Sequence, residues 1–93
     1  MFVRELSFDD DRRRLDARPA HRRRLDALHA DGRLVMAGPW DDDSGALLVF
    51  RVDRAGMDAI TADDPYYTTA GVRVTGLRQW RPIVGDAVRP DPG

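Results

Sequence analysis

The candidates for proton transfer near neutral pH in this 93-residue chain are its two histidines, His21 and His29. The chain has no cysteine, which excludes disulfides and thiolate chemistry. Histidine has an unperturbed pKa of ~6.5, so it can act as a base at physiological pH. The two histidines lie on one predicted helix, about 12 Å apart along its axis, and cannot share a metal ion there. The chain also lacks a glycine-rich phosphate loop, so we expect no metal and no cofactor.

His21 lies where a helix is predicted to begin. Proline is favoured at the first helical position, so Pro19 predicts a helix from there to about Asp31. In the first turn, unpaired N–H groups and the helix dipole disfavour imidazolium, and neighbouring arginines act in the same direction. The interpretation is a neutral histidine that can accept a proton. The alternative is an ordinary core histidine, because His21 shares a face with Leu25 and Leu28.

The acidic pair Asp63-Asp64 ends the second predicted helix, just before Pro65. Acidic side chains are unfavourable at a helix C-terminus, so at least one of the two is expected to have another partner. We favour Asp64, although an Asp-Pro sequence also simply ends helices. The next residue, Tyr66, could donate a hydrogen bond to a substrate oxygen or could form an amphipathic wall of a cleft or interface.

The elements that must position these residues follow the order strand, helix, strand, strand, helix, strand. This order is typical of a ferredoxin-like α+β sandwich, a four-stranded antiparallel sheet with its helices on one face. We expect one domain over residues 1–84 and a loose tail over 85–93. The predicted elements are a strand at 2–8, a helical piece at 12–18 after an acidic cap at 9–11, a helix at 19–31 closed by Gly32, strands at 33–37 and 46–52, a helix at 54–63 capped by Asp53, and a strand at 72–82.

Further details of these elements are predicted from their apolar spacing. Arg4 interrupts the apolar face of the first strand, and Leu15 is expected to be the main apolar contact of the helical piece at 12–18. Met57 and Ile60 are expected to face inward from the helix at 54–63. The strands at 33–37 and 46–52 could pair as a hairpin.

Several local features of this prediction are specific. We expect a bend at Arg18-Pro19, because proline disfavours a helical conformation in the residue before it. The apolar runs at 33–37, stopped by Gly38-Pro39, and at 46–52 are predicted to be central strands. In the last strand the even positions are predicted to form one apolar face, broken by Arg78; they are Val72, Val74, Gly76, Trp80 and Pro82. The uncovered sheet face predicts a homodimer, with two sheets packed as a dimeric α/β barrel.

Composition disfavours other classes of protein. The net charge is −1, so there is no overall field for nucleic acid. The arginine-rich segment 12–24 is accompanied by aspartates and lacks interleaved aromatic residues, so a solvated face is favoured over nucleic-acid binding. The acidic run 41–43 does not fit a calcium loop and is interpreted as a polar turn. No apolar run approaches the ~20 residues of a membrane span, and no signal peptide is evident, so we expect a cytoplasmic protein without membrane contact.

Two groups of motifs resemble the YCII-related domain family. The first half carries Arg18-Pro19-Ala20-His21, the Asp31-Gly32-Arg33-Leu34 turn and Ala37-Gly38-Pro39. The second half carries Asp63-Asp64-Pro65-Tyr66, Ala70-Gly71-Val72 and Trp80-Arg81-Pro82. The similarity extends over roughly residues 1–84 and keeps the motifs in order. The short acidic loop at 41–43 departs from longer members of the family.

The resemblance implies a dimeric ferredoxin-like barrel and a suspected enzyme with a histidine–aspartate pair in a cleft. That pair corresponds to His21 and Asp64, with Tyr66, Gly38 and Pro39 as candidate substrate-binding residues. Family members tied to chemistry act on small ring compounds. The leading hypothesis is a cofactor-independent lyase, dehydrohalogenase or isomerase acting on a carbonyl or hydroxylated ring compound. The alternative is a non-catalytic dimeric module that binds a metabolite or a protein.

Overall fold

A computed structural model of the chain describes residues 1–85 and residue 88. The described residues form four strands, two helices and one short 3-10 helix, with the strands and helices in the predicted order. Most of the predicted tail 85–93 therefore lies outside the described residues. The elements are β1 (Phe2–Phe8), α1 (Arg12–Ala30), β2 (Leu34–Pro39), β3 (Gly45–Phe50), α2 (Arg54–Asp63), the 3-10 helix Pro65–Thr68 and β4 (Val72–Gln79).

The four strands form one antiparallel sheet in the order β2-β3-β1-β4. This order, with two helices in the connections, is consistent with a ferredoxin-like α+β fold and confirms that part of the prediction. The predicted hairpin is present, since β2 pairs directly with β3. The predicted central position is correct for β3 and wrong for β2, which lies at an edge. Only Leu34 of β2 is fully buried, and Met36 is 64% exposed.

Both helices pack against one face of the sheet. The inward residues of β1 and β3 form a single core cluster with Met57 and Ile60 of α2, and Leu25 and Leu28 of α1 pack against its margin. Met57 and Ile60 were predicted to face inward from their helical spacing, and both are buried. Among the described residues, no helix is long and apolar enough to cross a membrane.

The two helical pieces predicted on either side of Arg18-Pro19 form one helix, because α1 runs for 19 residues with Pro19 inside it. Proline cannot donate a hydrogen bond to the carbonyl four residues earlier, which here belongs to Leu15. Both residues are exposed, so water can satisfy that carbonyl. The predicted apolar contact of Leu15 is therefore also wrong. In its place Arg14, which was expected to be solvated, is buried on this part of the helix.

The helix boundaries follow local rules. Asp11 caps α1 by accepting a hydrogen bond from the main-chain N–H of Arg13, and Asp53 caps α2 by accepting one from Gly56. Gly32 follows α1 with a φ of +86°, and the N–H groups of Gly32 and Arg33 close the last turn on the carbonyls of His29 and Leu28. The predicted C-cap glycine is thus confirmed. It returns the chain into β2.

The even positions of the last strand do not form one apolar face. Opposite Glu5, strand β4 contains one extra residue, because Gly76 pairs with Glu5 while Val74 pairs with Leu6. This β-bulge reverses the alternation of side chains between the two faces of the sheet. Val72 and Leu77 therefore both pack with the core, although residues five positions apart lie on opposite faces of a regular strand. The strand also ends at Gln79, earlier than the predicted Pro82.

Candidate functional site

A buried histidine–aspartate pair joins α1 to the end of α2. Nδ1 of His21 lies 2.6 Å from Oδ2 of Asp64. The two residues are 6% and 5% exposed, respectively. A polar pair this deeply buried must satisfy its hydrogen bonds internally, and this contact does so for one nitrogen and one oxygen. The structure therefore brings together the two residues that the family resemblance had paired across 43 positions of sequence.

Asp64 is held by the backbone around it. It follows α2 in an extended conformation, with φ −113° and ψ 107°, the conformation that a following proline such as Pro65 favours. Its Oδ1 accepts a hydrogen bond of 3.0 Å from the main-chain N–H of Tyr66, so Asp64 also caps the short 3-10 helix. Nη1 of Arg24 lies 3.6 Å from the same oxygen. Both carboxylate oxygens are thus engaged, and the carboxylate is fixed relative to His21.

The hydrogen-bond pattern assigns the protonation of the neutral His21 ring. Both oxygens of Asp64 face N–H donors or cations, as an ionised carboxylate requires, so Nδ1 of His21 carries the proton and donates it to Oδ2. Nε2 is then the unprotonated nitrogen. In the described part of the chain Nε2 has no hydrogen-bond partner, and it is not among the fully buried polar atoms that lack one. The ring can therefore accept a proton at Nε2.

The pKa of His21 lies below its usual value, mainly because burial disfavours the charged imidazolium. The hydrogen bond and the charge of Asp64 oppose this shift, and the nearby cations Arg22 and Arg24 add to it. The predicted direction is correct, and so is the contribution of arginine neighbours. The predicted cause in the helix N-terminus is wrong, since His21 lies in the middle of a continuous helix that begins at Arg12.

Two tyrosines of the 3-10 helix enclose the imidazole. The ring of Tyr66 stacks on His21 with centroids 3.9 Å apart and planes 9° apart. The ring of Tyr67 approaches the imidazole edge-on at 5.5 Å. Burial raises the pKa of both phenols, that of Tyr67 to about 12, so both keep their protons at neutral pH. The orientation of the imidazole is thus fixed by a hydrogen bond on one edge and by ring contacts on its face.

A cleft of about 620 Å³ opens beside His21 between α1 and the β2–β3 hairpin. Its volume is in the range of small-molecule sites, and its walls mix apolar side chains with a few charged ones. The predicted residues His21, Tyr66, Gly38 and Pro39 all line this cleft, and Asp64 lies behind the imidazole. A Cβ added at Gly38 would meet nothing within 4 Å, so the space beside that backbone is open. Other lining residues include Phe8, Arg18, Arg22, Leu25, Met36, Asp43 and Leu48.

A group of charged residues at the cleft was missed by the sequence interpretation. Asp43, placed in a polar turn at the sequence level, accepts hydrogen bonds from Arg14 and Arg18 at 3.1–3.4 Å. The residue has a φ of 57°, the left-handed region that aspartate tolerates better than most residues. The spacing of Arg14, Arg18 and His21 by four and three positions places them on one helix face, and this was the signal available.

A second buried polar cluster lies on the other side of Tyr67, formed by Arg4, Thr61 and Tyr67. Arg4 was noted only as an interruption of the apolar face of β1, yet it is 2% exposed. Its Nη2 donates to the hydroxyl of Thr61, and its guanidinium carbon lies 4.4 Å from the centre of the Tyr67 ring. Among the residues that the structure describes, Nε and Nη1 of Arg4 and the hydroxyl of Tyr67 are buried without a hydrogen-bond partner.

Comparison with known proteins identifies the family of the chain. Residues 1–81 match the family model described as the YCII-related domain. A search of curated proteins finds no match to the chain. Because the matched region covers most of the 93 residues, the chain belongs to the YCII-related domain family.

Proposed function

We propose that this YCII-related domain protein is a small-molecule enzyme that transfers a proton within its cleft, with His21 as the base and Asp64 as its positioning residue. The observation that carries the proposal is the 2.6 Å contact between Nδ1 of His21 and Oδ2 of Asp64. It leaves Nε2 of a neutral, oriented imidazole as the acceptor. A histidine kept neutral and held by a buried carboxylate is the arrangement that general acid–base catalysis requires.

The chemistry follows from that arrangement. Nε2 of His21 removes a proton from a carbon next to a carbonyl, and the C–H electron pair forms a C=C bond as the carbonyl electrons move onto oxygen. The products of this step are an enolate and an imidazolium, whose charge Asp64 stabilises. Where the enolate is conjugated with a C=C bond of the substrate, return of the proton to the far (γ) carbon of that bond shifts the double bond and completes an isomerisation. Alternatively, the enolate re-forms the carbonyl and expels a leaving group with its bonding electrons, which completes an elimination.

The proposal is tested by proton exchange, which does not require the physiological substrate. The protein is incubated in D2O with a panel of cyclic ketones, lactones and chlorinated hydroxylated aromatics, and loss of C–H signal and release of chloride are measured. We expect exchange or elimination for at least one class. We expect His21→Gln to reduce the rate at least ~100-fold, the size usual for a lost catalytic base.

Asp64→Asn and Asp63→Asn form the matched pair of variants. Both remove one carboxylate at adjacent positions, but Asp63 is exposed and Asp64 holds the imidazole. We expect Asp64→Asn to slow the reaction and Asp63→Asn to leave it unchanged. The proposal is overturned if no compound reacts, or if His21→Gln reacts as fast as the wild type. Saturable binding without any reaction would assign a binding module instead.

We further propose that the protein acts as a homodimer through the sheet face opposite the helices, here called the outer face. Its apolar side chains include Val3 of β1 and Leu47 of β3, whose registers place them opposite the core residues. Trp80, beside them, is 48% exposed. An apolar groove of about 1070 Å³ runs along this face. An exposed apolar groove on a sheet face is typical of a protein interface. The family resemblance likewise implies a dimer in which two such sheets pack together.

Light scattering after gel filtration tests the dimer. We expect twice the chain mass of 10.5 kDa for the wild type and for Ala27→Glu, which lies exposed on α1. Leu47→Glu and Trp80→Glu place a charge on the outer face and are expected to give the mass of one chain. A wild-type mass of one chain at micromolar concentration would contradict the proposal.

A further inference from the structure

The charged group at the cleft contains one cation that is firmly fixed and one that is available. Nε of Arg14 donates to the main-chain carbonyl of Asp9 at 2.9 Å, and its guanidinium stacks over the ring of Phe8. Arg18 has no such main-chain anchor in the described part of the chain. Its Nη2 donates to the two carboxylate oxygens of Asp43 at 3.3 and 3.1 Å. Arg18 can therefore change partner at a smaller cost than Arg14.

Arg18 is also the cation that shares the cleft with the proton-transfer residues. It lies three residues before His21 on the same face of α1, and both line the cleft together with Tyr66. Its charge lies close enough to the Tyr66 hydroxyl to oppose the raised pKa of that phenol. A guanidinium and a phenol beside a base are donors suited to the two oxygens of a carboxylate.

Asp43 supplies the carboxylate of this group. Its side chain is 42% exposed, while that of Arg18 is 25% exposed, so the pair lies at the mouth of the cleft and not in the core. Asp43 lies in a loop and has a left-handed backbone conformation, and its side chain extends from there to Arg18. An ion pair this accessible contributes little stability, so a ligand can replace it.

We propose that Arg18 and the Tyr66 hydroxyl form an anion subsite, and that the substrate carries a carboxylate that displaces Asp43 from Arg18. This inference rests on the proposed function, because the subsite would hold the carboxylate beside Nε2 of His21. Asp43 then acts as an internal competitor that keeps Arg18 oriented until substrate binds. The substrate class is narrowed from carbonyl or hydroxylated ring compounds to those that also carry a carboxylate group.

Benzoate and benzamide provide matched probes, since they have the same shape and differ in charge. Binding is measured on the full chain by NMR titration, with backbone shifts of Tyr66 and Gly38 reporting occupancy of the cleft. We expect benzoate to bind more tightly than benzamide. Arg18→Gln should weaken benzoate binding about tenfold and leave benzamide unchanged. Arg23→Gln removes an equal charge from an exposed position outside the cleft and should change neither.

Asp43→Asn is expected to strengthen benzoate binding, the opposite of Arg18→Gln. A variant with a folding defect would not show this gain. Asparagine tolerates the left-handed conformation, so the loop is retained while the competing charge is lost. We expect benzoate to bind several-fold more tightly to this variant. Equal benzoate affinity in the wild type and Arg18→Gln would overturn the subsite, as would loss of binding in Arg22→Gln alone. Benzoate binding that depends on Arg18 in a protein without proton exchange would leave the subsite standing and reject the proposed function.

Discussion

The two buried polar clusters of this protein are separated only by the ring of Tyr67, yet they differ in how their hydrogen bonds are satisfied. In the pair of His21 and Asp64, both carboxylate oxygens face donors, and the one free ring nitrogen belongs to a residue that lines a cleft. In the Arg4 cluster, two guanidinium nitrogens and the Tyr67 hydroxyl have no hydrogen-bond partner in the described part of the chain. Neither Arg4 nor Tyr67 lines the cleft beside His21 or the groove on the outer face.

The difference shows that burial of a charged residue does not by itself indicate a functional site. A polar group that is oriented by its neighbours and keeps one atom available to a ligand can do chemistry. A polar group that is buried with unused donors and no access carries a desolvation cost instead. The comparison therefore predicts that substitutions in the pair of His21 and Asp64 affect stability and proton transfer more strongly than substitutions in the Arg4 cluster.

The largest contrast is expected between Asp64→Ala and Arg4→Met. Removing Asp64 leaves the His21 ring and the Tyr66 N–H without acceptors, so we expect a loss of about 3 kcal/mol in the free energy of unfolding. Methionine fills much of the space of Arg4 without its unmet donors, so we expect a change within about 1 kcal/mol in either direction. Urea unfolding measures both. Similar losses in the two variants would remove the distinction between the clusters.

Acidification is expected to destabilise the fold through His21. Its pKa is lowered in the folded state, so below the unfolded value of ~6.5 the unfolded chain binds a proton that the folded chain excludes. Stability is therefore complete above that value and falls as the pH drops toward the lowered pKa, by at most about 1.4 kcal/mol per pH unit from this residue. His21→Gln should flatten this part of the urea-derived profile. His29→Gln, at an exposed position, should retain it.

Sequence patterns predicted most of the fold because its main determinants are local. The caps Asp11 and Asp53, the C-cap glycine Gly32 and the inward pair Met57 and Ile60 are all read from a few neighbouring residues. The sequence pattern gave the wrong prediction where pairing with a neighbouring strand or exposure to solvent determines the local structure. The bulge opposite Glu5 reversed the alternation of β4, and an exposed turn allowed α1 to continue through Pro19.

Less of the candidate site than of the fold could be predicted from the sequence. The residues alone identified a candidate base and suggested that Asp64 has a partner, but only the family resemblance joined His21 to Asp64. The role of Asp43 depends on the fold, because a loop 22 residues after His21 returns to meet Arg14 and Arg18. Burial of Arg4 was likewise invisible in sequence, since β1 reads as an apolar strand with one interruption.

Asp64→Asn tests the difference between the two clusters through the pKa of His21. The charge and hydrogen bond of Asp64 raise the pKa of His21 against the effect of burial. Loss of that charge should therefore lower the pKa of His21 further, while Arg4→Met should change it less because Arg4 contacts Tyr67 and not the imidazole. The ring-proton shifts of His21, followed against pH, measure its pKa in both variants and in the wild type. An unchanged or raised pKa in Asp64→Asn would contradict the coupling.

The smallest effect is expected for Tyr67→Phe. The Tyr67 hydroxyl is buried without a hydrogen-bond partner, so its removal should leave the free energy of unfolding unchanged or raise it by up to about 1 kcal/mol. The edge-on contact with His21 is retained by phenylalanine. Chemical unfolding against the wild type measures the change. A loss well above 1 kcal/mol would mean that the hydroxyl has an important partner and that the Arg4 cluster is better satisfied than its contacts indicate.

The central claim is that His21 is a neutral base, protonated on Nδ1 toward Asp64 and free to accept a proton on Nε2. Two-dimensional NMR that correlates the ring nitrogens with the ring protons distinguishes the two tautomers directly in the wild-type protein at pH 7. We predict the Nδ1–H tautomer for His21 and a pKa below the usual histidine value of ~6.5. An Nε2–H tautomer, or a pKa of His21 at or above ~6.5, would contradict the assignment of His21 as the base.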